Sequence, residues 1–271
     1  MDHGVQLHRG PGLEDGDGYE VTHPLYESDL IAVLTYDAPH RKTEDVVWRL
    51  LASGFRALHL VATPWVDRPE RKFIYPHRPG EKGWPCEPTS KTAVFAEKVG
   101  IPFTTTVGTS LEDTLNSLEC EVAVVGGAQL LPESVVTRFK VVNVHPGLLP
   151  MCRGLDILKW SVLELLRVGV TAHICDGRAD LGRRITERAV PVYAHDTFHS
   201  FAMRQYEMEN ALIPDAVESA MANDKKAFEE IPETFALHGT DIVSESRRRM
   251  PRRIEAGLLP AFERYKLVYA I

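Results

Sequence analysis

Short apolar runs rich in β-branched residues alternate with helix-like segments through the first half of the chain. Five such runs are typical of buried strands: LIAVLTY (30–36), ALHLVAT (57–63), IPFTTTV (101–107), EVAVVGG (121–127) and VVNVHP (141–146). Strands that alternate with helices in this way are connected by crossovers and lie parallel in one sheet. The pattern therefore predicts an α/β fold, a Rossmann-like open, mostly parallel sheet with helices on both faces.

The second half of the chain has a different pattern. VGVTAHICD (168–176) and RRITERAVPV (183–192) are separated by a glycine-flanked turn, which predicts a β-hairpin. Residues 195–222 are expected to form one long helix. We therefore divide the chain into an N-terminal arm (1–29), one α/β domain (30–223) and a small C-terminal extension (224–271).

Composition limits the classes of function. The 271 residues carry a formal net charge of −7, which argues against a general nucleic-acid-binding protein. The four cysteines are widely spaced and indicate free thiols in a reducing cytoplasm. No apolar run approaches the roughly 18 residues of a membrane span, and the N-terminal sequence lacks a signal-peptide pattern. We expect a cytoplasmic protein without nucleic-acid or membrane partners, and a homodimer remains open.

The strand 141–146 ends in a pair of polar residues. Asn143 and His145 lie two residues apart, so their side chains point to the same face. Open parallel sheets bind ligands at the carboxyl ends of their strands, where this pair lies. Asn-x-His alone is more often structural, because the histidine of such a pair commonly packs or caps at a strand end.

A carboxylate in the hairpin turn changes that balance. Asp180 lies between the two predicted strands, and a carboxylate beside a histidine orients the ring. An asparagine amide can donate to a carbonyl oxygen that becomes negatively charged, and a histidine can move the proton of an attacking amine. Asn143, His145 and Asp180 together suit acyl transfer to an amine.

Two blocks carry a resemblance to a known family. VVNVHPGLLPMCRG (141–154) and GVTAHICDGRADLGRRI (169–185) resemble the folate-dependent formyltransferases, most closely the sugar N-formyltransferase branch. The resemblance follows the order of elements over about residues 30–220 and is close over about 143–192. It implies that Asn143, His145 and Asp180 are the catalytic residues, and that His173 lies near the reaction centre.

The resemblance also implies a formyl donor, N10-formyltetrahydrofolate. Two loops match those that hold its pterin ring in the family. The residues implied for this contact are Gly127, Ala128, Gln129, Leu130, Leu131, Gly177, Arg178 and Ala179.

Features that the sequence lacks reduce the number of possible acceptor classes. The segment after the first strand, TYDAPHRKTED (35–45), has no glycine-rich phosphate loop, which puts glycinamide ribonucleotide in doubt. The acidic charge argues against tRNA. We expect formyl transfer to a small acceptor amine, a nucleotide-linked amino sugar. The alternatives are a glycinamide-ribonucleotide-type transformylase, a formyltetrahydrofolate hydrolase and a non-catalytic ligand-binding protein of this fold.

A long proline-rich segment mixes aromatic and basic residues and is either a surface loop or a lid over the acceptor. This segment, residues 64–88, supplies the candidate acceptor-binding residues Tyr75, His77 and Arg78. The two blocks that resemble the family add Arg153 and His173. His195 and His199 have the i, i+4 spacing of a metal pair, but no third ligand is evident and helix capping explains them equally well. We expect no metal site.

Overall fold

The computed structural model describes residues 29–65 and 90–271. The predictions for the N-terminal arm and for Tyr75, His77 and Arg78 concern residues outside these ranges. In the described ranges the strands are β1 (Ile31–Tyr36), β2 (Leu58–Thr63), β3 (Phe103–Thr105), β4 (Val122–Val125), β5 (Lys140–His145), β6 (Arg153–Gly154), β7 (Gly169–Cys175), β8 (Gly182–Ala189), β9 (Glu229–Glu230), β10 (Thr234–Leu237), β11 (Thr240–Val243) and β12 (Ser246–Arg247). The α-helices are α1 (Arg41–Ala52), α2 (Thr92–Val99), α3 (Leu111–Ser117), α4 (Glu133–Arg138), α5 (Ile157–Leu163), α6 (Phe198–Ala211), α7 (Ile213–Ala222), α8 (Arg252–Glu255) and α9 (Leu258–Tyr269).

Eight strands of the described residues form one open sheet, in the order β3-β2-β1-β4-β5-β7-β8-β9. The first five are parallel to one another, and β7, β8 and β9 continue the sheet in antiparallel pairings. The predicted fold class is confirmed, and so is the hairpin, which β7 and β8 form. The direction of the sheet changes between β5 and β7, the two strands that carry the candidate residues.

Alternate residues of each central strand enter different cores, which explains why these strands have unbroken apolar sequences. In β1, Ile31 and Val33 belong to a core that includes residues of α1, α6, α7 and α9, whereas Ala32 and Leu34 belong to a core that includes residues of α3 and α4. The sheet therefore has helices on both faces, as predicted.

The single long helix predicted over residues 195–222 is wrong. Helix α6 begins at Phe198, after the N-cap Thr197, whose side chain accepts from the Ser200 N–H. It ends before Leu212, and α7 starts with Pro214 in its first turn. Proline has no N–H and its ring clashes with the preceding turn, so the helix is interrupted there.

The segment after residue 223 packs against the α/β domain. Phe262 and Tyr265 of α9 are 1% exposed and belong to the same core as β1. Strand β12 pairs with β6, next to the candidate site. The domain boundary at 223/224 stays a prediction. No helix of the described ranges is long and apolar enough to cross a membrane.

Candidate functional site

Asn143 and His173 are directly opposite each other in the antiparallel pair β5–β7. Their side chains therefore lie on one face of the sheet, with 3.2 Å between Asn143 Nδ2 and His173 Nε2. The other ring nitrogen, His173 Nδ1, lies 3.1 Å from the Leu181 carbonyl oxygen. With Nδ1 as the donor, Nε2 is free to accept from the Asn143 amide.

The electrostatics of His173 agree with this assignment. The side chain is fully buried, and burial, with the nearby His145, lowers its pKa to about 4. The ring is therefore neutral at pH 7 and carries one N–H. An amide NH₂ group has two hydrogens, so Asn143 keeps a second N–H for another acceptor.

His145 and Asp180 meet at the same place, although 34 residues separate them in the sequence. Asp180 Oδ1 lies 3.2 Å from His145 Nδ1, and Asp180 Oδ2 accepts from the Gly154 N–H at 2.8 Å. Asp180 has φ of 53°, in the left-handed region that aspartate tolerates better than most residues. This backbone conformation belongs to the 176–181 turn, which folds back toward β5 and brings the carboxylate to the histidine.

Asp180 remains ionised over a wide pH range. Burial of the side chain would raise its pKa, but the charge and hydrogen bond of His145 and the Gly154 N–H outweigh burial. Together they lower the pKa of Asp180 to about 2. The site thus contains a fixed negative charge beside a histidine that is 3% exposed.

The second nitrogen of His145 is also engaged. Nε2 lies 2.7 Å from the carbonyl oxygen of Cys152, in the loop that follows β5. A carboxylate and a carbonyl are both acceptors, so the ring satisfies both contacts only when each nitrogen carries a hydrogen. For His145 to accept a proton at Nε2, the contact with Cys152 has to open.

Gly147 makes this contact possible. A Cβ atom at this position would lie 2.5 Å from the Cys152 carbonyl oxygen and 3.0 Å from His145 Nε2. Distances this short leave no room for a side chain, so the loop can approach the histidine only with glycine here. The Cys152 thiol is buried on the inner side of the loop, 3.1 Å from Ser161 Oγ.

Arg153 was predicted to bind the acceptor, but its described contacts are with backbone. Its Nε and Nη2 donate to the Ala179 carbonyl at 2.9 and 2.7 Å, and its Nη1 donates to the Ser244 carbonyl at 2.8 Å. The residue is 8% exposed. These contacts join the 176–181 turn to the C-terminal segment.

In the first of the two predicted folate loops, residues 127–131, the backbone is partly used for contacts inside the fold. The Gly127 N–H donates to the Leu34 carbonyl and is therefore used inside the fold. A Cβ at Gly127 would lie 2.5 Å from the His40 ring, so this glycine is needed for packing. Leu130 is 73% exposed, whereas Leu131 packs against a core.

A cavity of about 550 Å³ lies beside the second loop. Gly177 and Arg178 line it, together with Glu133 at the end of the first loop. Arg178 forms ion pairs with Asp176 and Glu233, and Ala179 gives its carbonyl to Arg153. The other predicted folate residues, Ala128 and Gln129, are half-buried and exposed, respectively.

His195 and His199 are not a pair on one helix, because α6 begins only at Phe198. The His195 ring stacks on Tyr193 at 5.7 Å, and His199 is buried. Among residues 29–65 and 90–271, no cluster of three or more histidine, cysteine, aspartate or glutamate side chains could hold a metal ion.

Backbone groups are what the sequence analysis missed. The Cys152 carbonyl and the Gly154 N–H contact the candidate catalytic residues directly. Every residue type except proline has both of these backbone groups, so the sequence does not indicate which of them form such contacts. The only sequence signal was indirect: Gly147 and Gly154, two glycines within eight residues, lie where the chain approaches other atoms closely.

The open α/β sheet thus brings an asparagine, a histidine and a carboxylate together at the end of β5. Residues 89–217 match the family model described as formyl transferase. These residues carry a formyl transferase domain, and the family resemblance found in the sequence is confirmed.

Similar proteins include members of two branches of formyltransferases. The chain is 26% identical to phosphoribosylglycinamide formyltransferase from Bacillus subtilis, over 37% of this chain and 53% of that protein. It is 32% identical to dTDP-4-amino-4,6-dideoxyglucose formyltransferase from Mycobacterium bovis, over 31% of this chain and 36% of that protein. The matched segment thus spans about half or less of these relatives.

A solved structure supports the fold independently. Phosphoribosylglycinamide formyltransferase from Anaplasma phagocytophilum superposes with a TM-score of 0.53, at 19% identity. The superposition covers 82% of this chain and 97% of that one.

Proposed function

We propose that this protein is an N-formyltransferase that moves a formyl group from N10-formyltetrahydrofolate to the amine of a small acceptor, a nucleotide-linked amino sugar. The observation that carries the proposal is the presence of two hydrogen-bonded pairs, Asn143 with His173 and His145 with Asp180, with Asn143 and His145 on one strand. The matched formyl transferase domain contains all four residues.

Each residue has a task that its contacts allow. His173 accepts one Asn143 N–H, which leaves the other free to donate to the formyl oxygen as negative charge develops there. Asp180 fixes the ring of His145 and stabilises its positive form. Once the contact with the Cys152 carbonyl opens and the Nε2 proton passes to solvent, the neutral ring can take the proton of the attacking amine at Nε2.

The cavity beside Gly177 is the proposed site of the donor. Its volume of about 550 Å³ falls within the range of small-molecule sites, and it adjoins the turn that carries Asp180. Glu133, Gly177 and Arg178 offer hydrogen-bonding groups to a polar heterocycle. When bound, the folate supplies the activated formyl group, and these residues hold and orient it.

A second cavity, of about 230 Å³, begins at Pro146, the residue after His145. Tyr206 and Glu209 of α6 and Lys159 of α5 line it, so its wall contains polar and charged groups. This volume is smaller than most ligand sites and suits the amine-bearing end of an acceptor rather than a whole sugar nucleotide.

The experiment is an acceptor panel with N10-formyltetrahydrofolate as the donor. The panel contains nucleotide-linked amino sugars and glycinamide ribonucleotide, and the product is identified by the mass gain of one formyl group. His145→Ala serves as the matched inactive control. We expect transfer to an amino sugar nucleotide that depends on His145.

The alternatives give different results in the same assay. Transfer to glycinamide ribonucleotide alone would indicate a purine-type transformylase. Donor breakdown without any acceptor would indicate a hydrolase. Tight folate binding with neither reaction would indicate a ligand-binding protein and would refute the proposal.

A further inference from the structure

We propose that Arg153 is a positioning residue that, braced by the C-terminal segment 244–250, holds Asp180 in place for His145. The segment 244–250 lies beyond the residues matched by the family model. The proposal rests on the proposed function for its kinetic consequences, but its structural part is testable without any reaction.

Arg153 holds the peptide that comes directly before Asp180. Two of its N–H groups, on Nε and Nη2, donate to the Ala179 carbonyl oxygen. The orientation of that peptide sets φ of Asp180, which is 53° and unfavourable for a residue with a side chain. A forked contact from a planar guanidinium keeps the peptide in this orientation, and a lysine ammonium has no such fork.

The C-terminal segment holds Arg153 from the other side. Arg153 Nη1 donates to the Ser244 carbonyl, and Ser244 Oγ donates to the Pro150 carbonyl. Strand β12 pairs with β6, with Ser246 opposite Arg153 and Arg247 opposite Gly154. The Leu155 N–H also donates to the Arg247 carbonyl, at 2.9 Å.

Gly154 connects this segment to the catalytic carboxylate. Its N–H donates to Asp180 Oδ2 at 2.8 Å, while a Cβ at Gly154 would lie 2.2 Å from the Arg247 carbonyl oxygen. The segment 244–250 thus presses closely against the residue whose N–H holds Asp180. Two further contacts fasten the segment: the Trp160 Nε1–H donates to the Arg248 carbonyl, and the Met250 N–H donates to Asp156.

These contacts argue against a role for Arg153 in binding the acceptor. Its Nε, Nη1 and Nη2 all donate to backbone carbonyls, and the residue is 8% exposed. An arginine that binds a phosphate or carboxylate of a substrate presents its fork to the ligand. Here the fork is presented to Ala179.

The test compares Arg153→Lys with Arg204→Lys. Arg204 is a matched control because it also donates to a backbone carbonyl, that of Pro191, and pairs with an aspartate, Asp196, away from the site. Amide hydrogen exchange of Gly154 is measured together with kcat and the KM values of donor and acceptor. Ser244→Ala is the second variant, in which only the contact with Pro150 is lost.

In Arg153→Lys we expect Gly154 exchange to rise about tenfold and kcat to fall about tenfold, with both KM values within about twofold of wild type. Ser244→Ala should also raise Gly154 exchange and lower kcat, but by less than Arg153→Lys. In Arg204→Lys, Gly154 exchange and kcat should match wild type after correction for global stability.

Three results would overturn the proposal. Unchanged Gly154 exchange in Arg153→Lys would show that the arginine does not hold this region. A raised acceptor KM with normal kcat would make Arg153 a binding residue. An equal rise at Gly154 in Arg204→Lys would show a general loss of stability. If wild type transfers no formyl group but Arg153→Lys still raises Gly154 exchange selectively, the proposed function fails and the positioning role stands.

Discussion

Asn143 donates across the β5–β7 pair to His173, with 3.2 Å between Nδ2 and Nε2. The contact depends on a neutral ring, which burial of His173 provides. It converts a flexible amide into a donor with a fixed direction, and this is the arrangement that stabilises charge in a transition state without reorganisation.

Loss of this contact should reduce turnover modestly. We expect His173→Ala to lower kcat about three- to tenfold, the size of one hydrogen bond, while Asn143 remains in place. His59→Ala is the control, because His59 is also a strand histidine bonded across to a neighbouring strand, through Thr104 at 2.8 Å. A similar loss of kcat in both variants would mean that the effect comes from packing.

Removal of Asn143 or His145 should cost far more. We expect Asn143→Ala and His145→Ala each to lower kcat by about a hundredfold or more, because both act on charge or protons that develop in the transition state. Folate affinity, measured by calorimetry, should change little. Near-normal turnover in either folded variant would remove that residue from the mechanism.

Acid should destabilise the fold through His173 before it reaches Asp180. The pKa of His173 is lowered from 6.5 to about 4, so the unfolded state binds more protons in this interval and stability is lost as the pH falls. The free energy of unfolding should decrease by about 3 kcal/mol across that window. The lowered pKa of Asp180 adds a further loss only below its unfolded value of 3.8.

Denaturant titrations between pH 7 and pH 4 measure this dependence. His173→Gln removes the titrating group, so its curve should be flatter than that of wild type over the same interval. Equal slopes for the two proteins would show that His173 is not the group responsible.

Gly147 offers a test of the contact between His145 and the Cys152 carbonyl. In Gly147→Ala the new Cβ would lie 2.5 Å from that oxygen, so the loop must shift. We expect a stability loss of about 1–3 kcal/mol and a fall in kcat of about tenfold or more. Gly257→Ala is the control, because its Cβ would meet only the Ile254 carbonyl, at 3.5 Å. Normal activity in Gly147→Ala would show that the loop position does not matter for catalysis.

The sequence was informative where side chains follow a simple period. The spacing of Asn143 and His145 placed them on one face, and unbroken apolar runs placed the strands inside a two-faced sheet. The glycine-flanked turn placed Asp180 between two strands, but its proximity to His145 came from the family resemblance. No periodic pattern encodes a turn that folds back over a strand.

Other features depend on tertiary contacts that the sequence does not display. The break between α6 and α7 was missed because apolar periodicity continues through Leu212 despite Pro214. Arg153 was predicted to bind the acceptor, whereas its hydrogen bonds in the structure go to the backbone carbonyls of Ala179 and Ser244. Partners that are backbone groups, such as the Cys152 carbonyl, have no residue type to reveal them.

The carbonyl oxygen and the thiol of Cys152 belong to the same loop residue, so their movements are coupled. The carbonyl oxygen holds His145 Nε2, and the thiol is 3% exposed with a pKa that burial raises. We therefore expect a loop movement that frees the histidine to expose the sulfur as well. The rate at which a thiol reagent labels Cys152 should therefore report how readily the loop opens.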